Sequence, residues 1–337
     1  MRVLVFDGPH AFHIEERPLP QPGPGEVRVR IAYVGICGSD LHGYTGESGR
    51  RVPGMVMGHE ASGWVEALGE AVSTLTIGQP VTFNPAIACN GSCGHRVENQ
   101  CARLSVIGVA PDRQGAFAEA IVVPVDRVVS LEGLSLQWGA AVEPVAVALQ
   151  AIYRAALEPE DSVLIIGGGM IGQCLALAAR LVGAGRIVLS EAVASRRALA
   201  IEAGFEAISP ADVTDLPPMN RAFDAVGVST TASTAIRSLI KGGTACFVGL
   251  GQPEVSIPLF DVVVPERTIV GTFAYSDLVF RQTVEYLAGR RLDLQPLLGG
   301  VEDFNGIAAA FEDLANGRRE EVKIMLATNA SAPERSR

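Results

Sequence analysis

No apolar run in this chain of 337 residues is long and uncharged enough to suggest a membrane span. The nearest candidate, residues 162–191, is broken by glycines and by Arg180, and a spanning helix needs about 20 consecutive, mostly apolar residues. No secretory leader is expected either, because Asp7 stands where its apolar core would begin. Positive charge is in deficit, with 27 Lys and Arg against 37 Asp and Glu and a net charge of -10. That argues against nucleic acid or an anionic membrane as the main partner. Cysteines number only 6. Without a leader they are expected as reduced thiols or metal ligands in the cytoplasm. No internal repeat is visible. What remains is an ordinary globular composition, 48% hydrophobic and 19% charged, with length enough for two domains.

The stretch from Ser162 to Glu191 organises the rest. Val163 to Ile166 reads as a short β run. It enters Gly167-Gly168-Gly169-Met170-Ile171-Gly172, a G-x-G-x-x-G loop. An apolar helix is expected over Gly172 to Val182, stopped by Gly183 and Gly185, and a second strand over Arg186 to Ser190 ends at Glu191. In such a unit Gly167 permits the tight turn, Gly169 lets the backbone approach a pyrophosphate, and Gly172 lets helix and strand pack closely. The helix N-terminus offers free N–H groups to phosphates. Glu191 can accept from the adenosine ribose hydroxyls. It lies about 20 positions after the loop and favours NAD over NADP, because a carboxylate repels a 2′-phosphate. Arg196 and Arg197 oppose that reading if either reaches the phosphate.

Upstream, Pro18 to Gly25 is a Pro/Gly turn between β segments Val3 to Phe6 and Val27 to Ile31. Then Gly35-Ile36-Cys37-Gly38-Ser39-Asp40-Leu41-His42 places a thiol, a hydroxyl, an acid and an imidazole within six positions. Gly58-His59-Glu60 follows, before a β stretch from Gly63 to Leu68. Cys37, His59 and Glu60 offer the three ligand types zinc prefers.

These motifs together resemble the zinc-dependent medium-chain dehydrogenases, the superfamily of alcohol, sorbitol, threonine and sugar-acid dehydrogenases. The resemblance runs from Met1 to about Ala327 and includes Val248-Gly249-Leu250-Gly251. It implies an α/β chain with a mostly-β GroES-like catalytic domain over 1–144, a doubly wound Rossmann domain over 145–274, and a return to the catalytic domain over 275–337. It implies Cys37 and His59 as ligands of a catalytic zinc, Ser39 as the hydroxyl that takes the substrate proton, His42 as the relay to solvent, and Asp40 as the acid that orients the zinc histidine. Val142-Glu143-Pro144 resembles the polyol and sugar-acid branch, in which Glu60 or Glu143 completes the ligands; the sequence leaves both open. The implied reaction is hydride transfer between a secondary alcohol (a polyol, sugar or sugar acid) and NAD, by a homo-oligomer, dimer or tetramer. The rivals are a zinc-free quinone or enoyl reductase of the same superfamily and a nucleotide-binding protein without turnover.

Many relatives carry four cysteines, spaced C-x2-C-x2-C-x7-C, on a lobe that holds a structural zinc. This chain has Cys89, Cys93 and Cys101, with Arg96 where a third cysteine would follow Cys93. A degenerate lobe with reduced cysteines, hence one zinc per chain, is the expectation. A Cys3His site with His95 is the alternative. Farther on, the expected elements are a helix over Ser195 to Ala203, a strand over Phe223 to Val226, a helix over Thr231 to Ile240 closed by Gly242-Gly243, and strands over Thr244 to Leu250 and Thr268 to Val270. Asp277 to Ala288 and Ile307 to Ala315 have helical spacing. The tail from Thr328 is expected to be disordered.

Overall fold

Strand Ser162–Ile166 is almost wholly apolar and its last four residues are buried, as a strand covered on both faces requires. In the computed structural model, which describes residues 1–89 and 91–333, it is an inner strand of a six-stranded sheet. The spatial order is Glu206–Ile208, Arg186–Ser190, Ser162–Ile166, Met219–Asp224, Leu239–Phe247 and Thr268–Gly271, and all neighbours are parallel. The order runs outward in one direction and then the other from Ser162–Ile166, so the carboxyl end of that strand is a topological switch point, where open α/β sheets bind ligands. This sheet belongs to a unit formed by Pro144–Tyr275 and Arg291–Leu297.

The other unit comprises Met1–Glu143, Ser276–Arg290 and the chain from Leu298 onward. Its main sheet is built on strand Glu26–Gly35, where buried residues alternate with half-buried ones. That strand pairs antiparallel with Glu60–Leu68, Ala120–Pro124 and Lys323–Ala327. Pro80–Phe83, Val128–Ser130 and Leu298–Glu302 complete the sheet. A single core cluster takes Val29, Ile31, Phe83 and Phe117 together with Phe304, Phe311 and Leu326, so residues from both ends of the chain fill one interior. Among the described residues no helix is long and apolar enough to cross a membrane.

Several elements depart from the sequence reading. The strand expected over Phe223 to Val226 lies at Met219–Asp224, because the Asp224 carboxylate accepts the N–H groups of Val226 and Gly227 at 2.9 Å and turns the chain out of the sheet. The helix expected to reach Ile240 ends at Arg237. Gly242-Gly243 does not close it; both glycines lie inside strand Leu239–Phe247. There the register jumps from Met219↔Leu239 to Arg221↔Thr244, so the pairing is interrupted where the glycines lie. Helix Met170–Val182 starts two residues before Gly172. The tail begins later than expected: Thr328 is buried, its N–H donates to Ala32 O at 3.0 Å, and its hydroxyl donates to Ile31 O. The part of the tail from 334 to 337 lies outside the described residues.

Candidate active site

Strand Glu26–Gly35 ends where Cys37 begins a short helix, Gly38–Tyr44. Asp40 in its first turn accepts the Cys37 N–H at 3.2 Å and is fully buried. Ser39 and His42, three positions apart and so on one helix face, are exposed. The same turn thus separates an inward acid from an outward hydroxyl and imidazole. His42 Nδ1 lies 2.6 Å from Glu47 Oε2.

Glu60 opens the neighbouring strand, directly opposite Gly35. A Cβ on Gly35 would lie 2.2 Å from Glu60 Oε2, so only glycine leaves room for this carboxylate. Donor atoms of Cys37, His59 and Glu60 fall within 4.8 Å of one another. Glu60 is 1% exposed, and its Oε1 is buried without a hydrogen-bond partner, as is His59 Nδ1. Asp40 Oδ1 stands 3.6 Å from His59 Nδ1 and 3.5 Å from an Arg51 nitrogen. The 3.6 Å separation is an ion-pair distance, too long for a hydrogen bond. With Nδ1 turned to Asp40, Nε2 is the nitrogen left for a metal.

The electrostatics favour a cation here. Burial opposes a charged His59, yet Asp40 and Cys37 beside it hold its pKa well above the ordinary 6.5. Burial alone would raise the Asp40 pKa, but His59 and Arg51 outweigh it and keep the carboxyl below its usual range. A thiol, an imidazole and a carboxylate that converge, with Glu60 Oε1 buried and unpartnered, fit a zinc ion. Glu143 lies in the first turn of helix Val142–Arg154 and is absent from the close donor set. A residue the sequence reading missed stands beside Glu60: Lys323, whose Nζ donates to Glu60 Oε2 at 2.5 Å and whose ammonium also feels the charge of Glu143.

In the nucleotide unit Gly167 adopts φ +97°, and its N–H donates to Ser190 O at 2.8 Å. A Cβ on Gly172 would meet Gly167 O at 1.7 Å, whereas a Cβ on Gly169 would meet nothing within 4 Å. Gly172 therefore serves the packing, and Gly169 faces open space at the start of helix Met170–Val182, with Met170 and Ile171 in its first turn. A helix N-terminus with open space before it suits a pyrophosphate, and the loop fits a dinucleotide. Glu191 is more occupied than its sequence position suggests. Its carboxylate accepts from Gly168 N–H at 2.5 Å and Val193 N–H at 2.7 Å, and each oxygen keeps a further lone pair for a ribose hydroxyl. Arg197 folds back to donate to the carbonyls of Glu191 and Ala192, both at 2.7 Å. Arg196 Nε is buried without a partner.

The cysteine lobe differs most from expectation. Cys89, Cys93, His95 and Cys101 bring donor atoms within 4.8 Å of one another. Cys93 Sγ lies 3.1 Å from His95 Nδ1 and 3.6 Å from Cys101 Sγ, and Cys101 Sγ lies 3.4 Å from Cys89 Sγ. The set is complete for a tetrahedral Cys3His site and is not the scattered remnant that the shortened spacing suggests.

Comparison with known proteins agrees with this geometry. Residues 23–133 match the alcohol dehydrogenase GroES-like domain, and residues 170–289 match the zinc-binding dehydrogenase model. The chain is 34% identical over 340 residues to an L-idonate 5-dehydrogenase of Vitis vinifera, covering 94% of this chain and 92% of that one. It is 33% identical over 341 residues to a sorbitol dehydrogenase of Arabidopsis thaliana, covering 94% and 93%. The crystal structure of 2R,3R-butanediol dehydrogenase from Bacillus subtilis superposes with a TM-score of 0.88 at 27% identity, over 97% of this chain and 99% of that one.

Proposed function

Because the chain belongs to the zinc-dependent medium-chain dehydrogenases, we propose that it oxidises a secondary alcohol of a polyol, sugar or sugar acid, reversibly, with NAD. The observation that carries this reading is the convergent Cys37, His59 and Glu60 donor set, with His59 and Glu60 buried, in one chain with the glycine loop. Zinc, when bound, supplies Lewis acidity that makes a substrate hydroxyl more acidic, and NAD supplies the hydride acceptor.

The protein's own groups do the rest. Cys37, His59 and Glu60 hold the metal, and Asp40 orients His59. Ser39 takes the proton from the substrate hydroxyl, and His42 passes it to water from the next turn of the same helix. His42 suits that role with a side chain 47% exposed and braced by Glu47. Gly169 and the N–H groups of Met170 and Ile171 receive the pyrophosphate. Glu191 receives the ribose, with Arg196 beside it. The rivals fare worse: a zinc-free reductase has no use for three converging donors, and a nucleotide-binding protein without turnover has none for Ser39 and His42.

The partner we propose for assembly is a second copy of the chain. Strand Thr268–Gly271 is an edge of its sheet. In the same unit, helix Leu259–Val263 leaves Phe260 79% exposed and Leu259, Val263 and Val264 each more than 60% exposed. A sheet edge and exposed apolar side chains in one unit are features that soluble proteins cover. The six cysteines, all free, accord with a reducing cytoplasm. The deciding experiment is a panel of polyols, sugars and sugar acids assayed with NAD and with NADP, alongside metal analysis. Turnover with NAD that a chelator abolishes and zinc restores is the expected result. Turnover that survives complete metal removal refutes the assignment, and higher catalytic efficiency with NADP refutes the role given to Glu191.

A further inference from the structure

Lys323 opens strand Lys323–Ala327, otherwise an apolar run, and is only 2% exposed. Burying an ammonium group is costly unless it is paired and hydrogen-bonded. Here Nζ donates to Ile36 O at 2.9 Å and to Glu60 Oε2 at 2.5 Å. The sheet explains the meeting. Met325 pairs with Gly35, and Gly35 pairs with Glu60, so the start of the Lys323 strand is level with the Cys37 turn and one strand removed from Glu60.

The two oxygens of Glu60 have different surroundings. Oε2 lies over the bare Cα of Gly35, where no side chain intrudes, and is held by Lys323. Oε1 is buried, has no hydrogen-bond partner, and belongs to a carboxylate grouped with Cys37 and His59. A carboxylate held at one oxygen cannot swing freely to chelate with both.

We propose that Lys323 is a positioning residue of the metal site: by fixing Glu60 through Oε2 over Gly35 it presents Oε1 alone to the metal held by Cys37 and His59. This rests on the metal-binding reading of Cys37, His59 and Glu60. If Lys323 merely neutralised a buried acid, metal affinity and coordination would be indifferent to how the neutralisation was achieved.

The test uses the full-length protein, stripped with a chelator and titrated with cobalt(II) against a chromogenic competitor, with visible and near-ultraviolet spectra recorded. The signal read is the part that Cys37→Ser removes, which isolates this site from the cysteine lobe. Lys323→Met should weaken that binding by about 10–100-fold, the usual range for a lost partner behind a metal ligand, and should alter the visible bands. Lys323→Arg should recover most of both. Gly35→Ala is the second variant, for use even if Lys323→Met fails to fold. It keeps the lysine but displaces Oε2, and should also weaken cobalt and change its spectrum. A Lys323→Met or Gly35→Ala protein with the parental affinity and spectrum overturns the positioning role while leaving the metal site standing. Absence of any Cys37-dependent cobalt signal in the parent protein overturns the metal site itself.

Discussion

Ser39 and Asp40 are adjacent in sequence and opposite in fate, one exposed and one fully buried, and this divides their effects. Ser39→Ala should lower kcat by about 10²–10⁴-fold, the range for loss of a general acid–base group, with zinc content unchanged. Steady-state kinetics with metal analysis check this; zinc loss in the variant would mean that Ser39 acts on structure. His59 gives a second prediction at this scale. Its folded pKa lies well above 6.5 because Asp40 and Cys37 outweigh its burial. A raised imidazole adds stability below the unfolded value, and that increment is lost as pH rises through the folded value. Chelator-treated protein should therefore melt at lower temperature at pH 9 than at pH 6. Zinc-loaded protein should show the reverse trend, because zinc needs the neutral ring. Melting scans of both forms decide it. Cys37 to His42 and Gly58 to Glu60 were legible because each motif is contiguous. Lys323 and Arg51 were not. The partner of Lys323 is 263 positions away, and nothing in an alternating strand pattern says which other strand will lie beside it.

Among the elements, the strand–loop–helix–strand unit from Ser162 to Ser190 follows its sequence pattern within two residues, because the glycines and the apolar runs agree. The Thr231 region misled because Ile236, Leu239 and Ile240 continue a helical period that the backbone abandons at Arg237. The cysteine lobe misled through spacing: a histidine ligand has no fixed offset, so only three-dimensional convergence of Cys89, Cys93, His95 and Cys101 reveals a closed donor set. The lobe is tied to its unit by the short pair Ala86–Ile87 and Ser105–Val106 and by Glu98, which accepts the Asp277 N–H at 2.7 Å, and Cys93 at its centre is exposed. Elemental analysis should then find a second zinc equivalent beyond the catalytic one. Cys93→Ser and His95→Ala should each remove that equivalent and lower the melting temperature. A full zinc complement in both variants would show the lobe to be empty.

At the scale of the whole molecule, the resemblance implied a single return to the catalytic domain over 275–337, and the chain does not return in one piece. Residues 291–297 join the nucleotide unit while their neighbours on both sides join the other. No composition change marks that excursion. The exposed apolar side chains in the same unit as edge strand Thr268–Gly271 argue for assembly through that unit. Light scattering should give a mass of at least two chains, and Phe260→Glu should shift it towards one, since a buried unpaired charge opposes docking. A monomeric parent protein would refute the interface.

Glu60 and Lys323 also set an order in time. On the ribosome the acid emerges first, and its cation follows 263 residues later, roughly 13–53 s at about 5–20 residues per second. Throughout that interval the nascent chain holds Cys37, His59 and Glu60, and near its end the last segment of the nucleotide unit, Arg291–Leu297, has been made as well. Yet the carboxylate has no counter-charge, and strand Glu26–Gly35 lacks its neighbour Lys323–Ala327. A chain cut short by a premature stop just before Lys323 would thus carry all its metal donors and still expose an open strand edge, the signature by which chaperones and proteases recognise unfinished products.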